Sequence, residues 1–86
     1  MESHHMYGEL FDVILKLKSR DDCEILFEDL CTKVELAAME QRIKAAKHLK
    51  EGLTYEQVIA KTDISSATLS RVSKALKYGE GYKKFV

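Results

Sequence analysis

The 86-residue chain contains no proline and only four glycines. Because these residues punctuate turns, their scarcity favours helices over turn-rich β structure. No apolar run approaches the roughly 18 residues that a membrane-spanning helix needs, so we predict no membrane partner. The sequence shows no secretory signal, and we expect a cytoplasmic protein.

Cysteine is also scarce, with only Cys23 and Cys31 present. Both lie on the apolar side of a helical pattern, eight residues apart, and one helix cannot bring such a pair to disulfide distance. Two thiols do not make a disulfide framework either. We therefore predict two reduced cysteines that pack in the core.

The formal net charge is zero, but the charges are divided between the two halves of the chain. Residues 1–41 hold ten acidic and four basic side chains, whereas residues 42–86 hold four acidic and ten basic ones. A polyanion would be attracted to the second half only. The split favours a basic half that performs the function and an acidic half that supports it. The alternative is a chance imbalance between solvated faces.

A chain of this length predicts one small domain with a thin core, for which a partner chain would supply extra stability. Residues 1–6 end in a second methionine and include two histidines. We interpret this segment as a cloning remnant or a disordered N-terminus. No spacing of histidine, cysteine or acidic residues predicts a metal site.

Apolar residues recur at helical spacing along most of the chain, which predicts five to six short helices and an all-α fold. The first is expected over residues 7–18. The second follows Ser19 and carries an apolar stripe of Cys23, Leu26, Phe27 and Leu30. The others are expected over residues 33–50, 55–61 and 66–77, and the tail at 82–86 is expected to be poorly ordered alone.

Capping residues mark the ends of these helices. Three pairs fit a capping box or its reciprocal arrangement, namely Ser19 with Asp22, Thr32 with Glu35, and Thr54 with Gln57. Ser65 fits the N-cap of the last helix. Gly52 is placed to end the third helix in a left-handed conformation.

Residues 55–72 show the pattern of a helix-turn-helix. A short helix can dock through Val58, and Asp63 stands where the turn needs a residue that tolerates positive φ. The second helix then begins with short polar side chains that can approach base edges. Glycine is usual in the turn, and a small residue is usual near Ile59, so these departures would widen the angle between the helices. A capped helical hairpin with a serine-rich start is the alternative.

The predicted DNA contacts fall into two groups, base readers at the start of the second helix and phosphate contacts beside them. The base readers are Ser66, Ala67 and Ser70, with Thr68 close by, and the phosphate contacts are Lys61, Arg71, Lys74 and Lys77. Thr54 and Ser65, at the two helix starts, complete the set. Double-stranded DNA is the predicted partner.

Five short motifs carry a resemblance to a known family. They are Phe-Glu-Asp-Leu-Cys-Thr at 27–32, Met-Glu-Gln-Arg at 39–42, Gly-Leu-Thr-Tyr at 52–55, Ser-Ser-Ala-Thr-Leu-Ser-Arg-Val at 65–72 and Tyr-Gly-Glu-Gly-Tyr at 78–82. Over residues 7–83 the chain resembles the Trp-repressor-like family, most closely its YerC/YecD branch of small helix-turn-helix regulators.

The resemblance implies an intertwined homodimer in which the N-terminal helices of two chains interlock and each chain presents a reading head. It assigns residues 7–53 to dimerisation, 54–78 to the DNA-reading helix-turn-helix and 79–86 to a C-terminal tail, all within one domain. A two-fold dimer would bind a palindromic operator with half-sites about 34 Å apart.

The family's best-known member binds tryptophan, and the resemblance carries its ligand positions to an effector pocket at Thr32, Arg42 and Arg71. Arg42 matches the arginine that stacks on the indole, and Arg71 matches the one that holds the carboxylate. Val72 replaces the glycine that makes room for the indole, and Ala75 replaces a serine near the amino group. We therefore expect no tryptophan binding and no cofactor, and leave another small anion open as an effector.

The leading hypothesis is a sequence-specific transcription regulator, expected to be a repressor. The alternative is a helical interaction module that docks another regulator or RNA polymerase without reading DNA. An enzyme is not predicted, because the sequence has no metal-ligand cluster and no phosphate-binding glycine loop. His48 stands among lysines in a predicted helix with no nucleophile beside it.

Overall fold

The computed structural model describes residues 6–86, and these residues form six α-helices without a strand. The helices are α1 Gly8–Ile14, α2 Arg20–Leu30, α3 Lys33–Lys50, α4 Tyr55–Thr62, α5 Ser66–Tyr78 and α6 Gly81–Phe85. The all-α prediction is confirmed. Most of the predicted N-terminal remnant, residues 1–5, lies outside the described residues. The chain divides into two compact units, Met1–Lys33 and Val34–Val86.

Helix α1 is shorter than the predicted helix of residues 7–18. It ends at Ile14, and the amides of Lys16 and Leu17 then bond to carbonyls three residues back, at 3.0 and 3.1 Å. Ser19 is extended, with φ −150°, because it caps α2. An N-cap residue must leave the helical conformation, so the start of α2 ends an apolar spacing that continues to Leu17.

The cap of α2 differs from the prediction by one residue. The Ser19 hydroxyl accepts a bond of 3.0 Å from the Asp22 amide, as predicted. The Asp22 carboxylate accepts its bond from the Lys18 amide, at 2.9 Å, instead of from Ser19. The carboxylate still faces the positive end of the helix, where a negative charge is stabilising.

The first unit contains no buried side chain within its described residues, 6–33. Cys23 is exposed and Cys31 is half-buried, and both are free thiols. The prediction that both cysteines pack in the core is therefore wrong for the single chain. The reason is that the apolar side of α2 is not covered, as shown by Leu30, which is 47% exposed.

The second unit holds the hydrophobic core. Its fully buried side chains come from α3, α4, α5 and the turn between the last two, namely Ala45, Ala46, Val58, Ile64, Leu69 and Val72. Helix α3 has the predicted bounds, and its two buried alanines let the neighbouring helices approach closely. The buried stripe of α5 at Leu69 and Val72 agrees with its apolar spacing.

Gly52 ends α3 in a Schellman motif. Its φ is +94°, in the left-handed region that favours glycine. The Gly52 amide bonds to the Leu49 carbonyl at 3.1 Å, and the Leu53 amide bonds to the His48 carbonyl at 3.1 Å. These two bonds satisfy carbonyls that the helix itself leaves unpaired, and they turn the chain toward α4.

The C-terminal tail is ordered as α6, contrary to the expectation from the sequence. Tyr82 and Val86 pack against the core from one side of this helix, and the Val86 amide bonds to the Tyr82 carbonyl at 3.1 Å. Short helices gain most of their stability from tertiary packing. The two apolar side chains, one turn apart, supply the packing that an isolated tail would lack.

None of the six helices in the described part of the chain is long and apolar enough to cross a membrane. No group of three or more histidine, cysteine, aspartate or glutamate side chains within residues 6–86 is arranged to hold a metal ion.

Candidate nucleic-acid interface

Helix α4 begins with a complete capping box. The Thr54 hydroxyl accepts a bond of 3.2 Å from the Gln57 amide, and the Gln57 side chain accepts one of 2.8 Å from the Thr54 amide. Thr54 is exposed and Lys61 lies exposed in the last turn of the same helix. Val58 is fully buried, so α4 docks through the residue predicted for that role.

The turn between α4 and α5 depends on Asp63, which has φ +57° and ψ +18°. The predicted left-handed turn residue is confirmed. The amide of Asp63 bonds to the Ile59 carbonyl in α4 at 2.9 Å. The next residue, Ile64, is buried and anchors the turn in the core. The Thr62 hydroxyl links both parts, since it donates to the Val58 carbonyl at 2.8 Å and accepts from the Ile64 amide at 3.3 Å.

A side chain from α3 holds the same turn from the other side. Nε2 of Gln41 donates a hydrogen bond of 2.9 Å to the carbonyl of Thr62. This carbonyl belongs to the last turn of α4, where no further helical amide is available. The bond therefore fixes the end of α4 to the long helix beneath it.

Helix α5 starts at a serine cap, as predicted. The Ser65 hydroxyl accepts a bond of 3.1 Å from the Thr68 amide and donates one of 2.9 Å to the Thr68 hydroxyl. Thr68 is half-buried. Both hydroxyls are therefore used to order the first turn of α5, which places the next residues in a fixed orientation.

The remaining predicted contacts of α5 share one exposed side of the helix. Ser66, Ala67, Ser70, Arg71, Lys74 and Lys77 are all exposed, at the three- and four-residue spacing of a single helix face. Leu69 and Val72 are buried on the opposite side. We call the six exposed residues the reading face.

The reading face is positively charged and uncompensated. Helix α5 contains Arg71, Lys74 and Lys77 and no acidic residue. Within residues 6–86, Arg20 pairs with Glu24, Lys44 pairs with Glu40 and His48 is hydrogen-bonded to Glu51, and none of these contacts uses a cation of α5. The three cations are thus free to neutralise phosphates, whose contacts dominate protein–DNA affinity.

Three of the predicted effector residues meet around one recess in the second unit. It has a volume of about 230 Å³ and is lined by Arg42, Thr68, Arg71, Val72, Ala75 and Tyr82. We call it the arginine recess. Val72 is 2% exposed, so its side chain belongs to the core at the side of the recess. Thr32, the fourth predicted residue, precedes α3 in the first unit.

Sequence reasoning missed two residues that shape this region, Gln41 and Tyr82. Gln41 gives no signal beyond its place in a motif, because its partner is a backbone carbonyl 21 residues away. Tyr82 could have been found from its four-residue spacing to Val86, which is the spacing of one helix face. That signal was outweighed by the glycines at 79 and 81, which favoured an irregular tail.

Comparison with known proteins assigns this architecture. The family model described as Trp repressor protein matches residues 5–86. The uncharacterized protein YerC of Bacillus subtilis is 44% identical over 71 residues, which cover 83% of this chain and 68% of YerC.

Two solved structures match the fold. A proposed Trp repressor from Staphylococcus aureus has a TM-score of 0.86 and 40% identity, covering 91% of this chain and 79% of its own. A TrpR-like protein from Eubacterium eligens has a TM-score of 0.88 and 42% identity, covering 93% of this chain and 84% of its own. Sequence and fold thus point to the same family.

Proposed function

The chain belongs to the Trp repressor family, and from this premise we propose that it is a sequence-specific DNA-binding transcription regulator that acts as a homodimeric repressor. The observation that carries the proposal is the reading face of α5. It combines short side chains near the helix start with three cations further along, on a helix without acidic residues. Short side chains let the backbone approach base edges, and the cations suit phosphates.

In this proposal Ser66, Ala67 and Ser70 read bases, while Arg71, Lys74 and Lys77 contact phosphates. Lys61 adds a phosphate contact from the exposed end of α4. The caps at Thr54 and Ser65 serve a second purpose, because a helix N-terminus with free amides favours a phosphate oxygen. Thr68 contributes indirectly, through the hydrogen bond that its hydroxyl accepts from the Ser65 hydroxyl.

The homodimer is supported by the apolar surface of the first unit. No side chain among residues 6–33 is buried in the single chain, although α1 and α2 carry apolar residues at helical spacing. Phe11 is 52% exposed and Leu30 is 47% exposed. A second copy that covers these side chains would supply the missing core. We assign residues 7–53 to this dimerisation part, 54–78 to the reading head and 79–86 to the tail, within one domain.

Tryptophan is not part of the proposal. Val72, which stands where the resemblance places a glycine, lines the arginine recess, and its buried side chain cannot move without disturbing the core. Calorimetric titration with tryptophan should therefore give no saturable heat. Saturable binding would show that the recess opens, and would restore tryptophan as an effector.

The experiment that tests the function is selection from random duplex DNA by the purified protein near physiological salt. Enrichment of a palindrome with half-sites about ten base pairs apart would support a dimeric sequence reader. A dimer that shows no DNA affinity even at low salt would contradict the proposal, and would favour a helical module that docks another regulator or RNA polymerase.

A further inference from the structure

Tyr82 of α6 separates two cavities of the second unit. One is the arginine recess. The other is an apolar groove of about 340 Å³, lined by Ile43, Ala75, Gly79, Gly81, Tyr82 and Val86. Only Ala75 and Tyr82 line both. Because Ala75 offers a single methyl group, the ring of Tyr82 supplies most of the wall between the recess and the groove.

Helix α6 begins two residues after the C-cap of α5, and the two helices contact each other. The Gly79 amide bonds to the Ala75 carbonyl at 2.8 Å, and a Cβ at Gly79 would lie 2.7 Å from the same oxygen. Gly79 has φ −95°, so a Cβ is excluded there by the carbonyl of the last turn of α5 and not by backbone strain. Gly81 differs, since a Cβ there would meet no atom within 4 Å.

Helix α6 is also tied to α3. The Lys50 ammonium group donates a hydrogen bond of 3.4 Å to the carbonyl of Lys83, the residue after Tyr82. Tyr82 itself packs against the core, together with Val86. Helix α6 is thus linked to α5 at its start and to α3 through Lys83, and Tyr82 lines the same recess as Thr68 and Arg71 of α5.

We propose that Tyr82 is a positioning residue for the reading face, a role that rests on the proposed DNA-binding function. Arg71 and Thr68, on α5, line the recess that the ring closes, while Arg42 lines it from α3. Without the ring, the recess and the groove would join and the middle of α5 would lose one of its packing partners. Since a packed interior resists small shifts, the ring fixes where α5 lies. The packing of Tyr82 against α5 is part of the chain itself and needs no added ligand.

The test compares the full chain with Tyr82→Ala, Tyr82→Phe and the matched control Gly81→Ala, which adds one methyl group in open space. Hydrogen exchange of the free protein should rise about tenfold at the amides of α5 in Tyr82→Ala, while exchange in the middle of α3 stays unchanged. Affinity for the selected duplex should fall about tenfold. Tyr82→Phe and Gly81→Ala should match the unaltered chain in both measurements.

A small phenol gives the test a readout that a general loss of stability would not produce. Millimolar p-cresol, which matches the Tyr82 side chain, should restore slow exchange and DNA affinity to Tyr82→Ala and leave the unaltered chain unaffected. If Tyr82→Ala does not fold, Tyr82→Leu keeps an apolar side chain without the ring. Its DNA affinity should be lower, and its exchange in α5 faster, than those of Tyr82→Phe, and equal values in the two variants would overturn the inference.

The outcomes separate this inference from the proposed function. Equal exchange and equal affinity in Tyr82→Ala and the unaltered chain would overturn the positioning role and leave DNA binding intact. If Tyr82→Ala shows faster exchange in α5 only, and the unaltered chain binds no DNA, the result would support the positioning role of Tyr82 and refute the proposed function. Faster exchange in every helix, without recovery in p-cresol, would show a general stabilising role and overturn the inference.

Discussion

Nε2 of Gln41 in α3 donates a 2.9 Å hydrogen bond to the carbonyl of Thr62, the last residue of α4. The final carbonyls of a helix have no partner within it, so an external donor removes the cost of leaving one unpaired. Here the donor comes from the helix that carries the buried alanines. One side chain therefore couples the end of α4, and the turn that follows it, to the core of the second unit.

Replacement of Gln41 by leucine removes this donor and leaves a partly buried carbonyl unpaired. The free energy of unfolding should fall by about 1 kcal/mol, measured by urea unfolding followed by circular dichroism. The matched control is Glu40→Ala, which removes an exposed ion pair with Lys44 and should cost less than about 0.5 kcal/mol. Similar losses in both variants would contradict a special role for the Gln41 bond.

The left-handed turn predicts a specific order of stability at position 63. Asp63 has φ +57°, a region that costs most L-residues about 1–2 kcal/mol and costs glycine little. Asp63→Ala should therefore unfold at lower urea concentration than Asp63→Gly, with a difference of about 1 kcal/mol between the two variants. If the alanine variant is as stable as the glycine variant, the turn does not depend on the conformation of this residue.

Alanine substitutions at the neighbouring residues Ser65 and Ser66 should affect stability and DNA recognition separately. Ser65→Ala removes the cap of α5 and should lower the free energy of unfolding by about 1 kcal/mol, with no change in preferred DNA sequence. Ser66→Ala should leave stability unchanged and alter the preference at one base position. Selection from random DNA together with thermal melting measures both effects. A changed preference in the Ser65 variant would move that residue into the group of base readers.

Lys74 should contribute through charge alone. Lys74→Ala should weaken binding to all duplexes by about the same factor, and the slope of log affinity against log salt should become shallower by about 1. Lys44→Ala is the control, because this exposed lysine on α3 is paired with Glu40 outside the reading face. Equal slopes for the Lys74 variant and the unaltered chain would remove Lys74 from the interface.

The proposed dimer can be tested by two matched substitutions in α2, each of which replaces an aliphatic side chain with glutamate. Leu30 lies on the apolar side of the helix with Cys23 and Leu26, whereas Ile25 lies on the opposite, charged side. Leu30→Glu would bury a charge in the interface and should give monomers in sedimentation. Ile25→Glu should remain dimeric. If both variants remain dimeric at a concentration of about 1 μM, this face of α2 is not part of the interface.

Local signals predicted the second unit well. The bounds of α3, the capping box at Thr54 and the left-handed Asp63 all follow from hydrogen-bonding preferences of residues a few positions apart. Such preferences act within one turn and need no knowledge of the rest of the fold. The exposed side of α5 was predictable for the same reason, because helical spacing alone assigns its buried residues.

The errors arose where distant contacts decide the structure. The order of α6 depends on Tyr82 reaching the core, and the tail by itself gives only a weak helical signal. In the first unit, apolar spacing correctly identified α2 but could not show that Cys23 remains exposed in the single chain. The error in α1 is local instead: its apolar spacing continues past Ile14, and the cap of α2 at Ser19 does not allow the helix to follow it. A pattern records which side of a helix is apolar and not which molecule covers it.

The positive φ of Gly52 has a genetic consequence. Every single-nucleotide missense change in a glycine codon introduces an L-residue with a Cβ, and that atom is disfavoured at +94° even though the space around it is open. Most such variants would carry a strain of about 1–2 kcal/mol, and aspartate less, which is a large share of the stability of a small domain. Gly52 is exposed, yet deep mutational scanning should rank it as less tolerant than the exposed residue before it, Glu51.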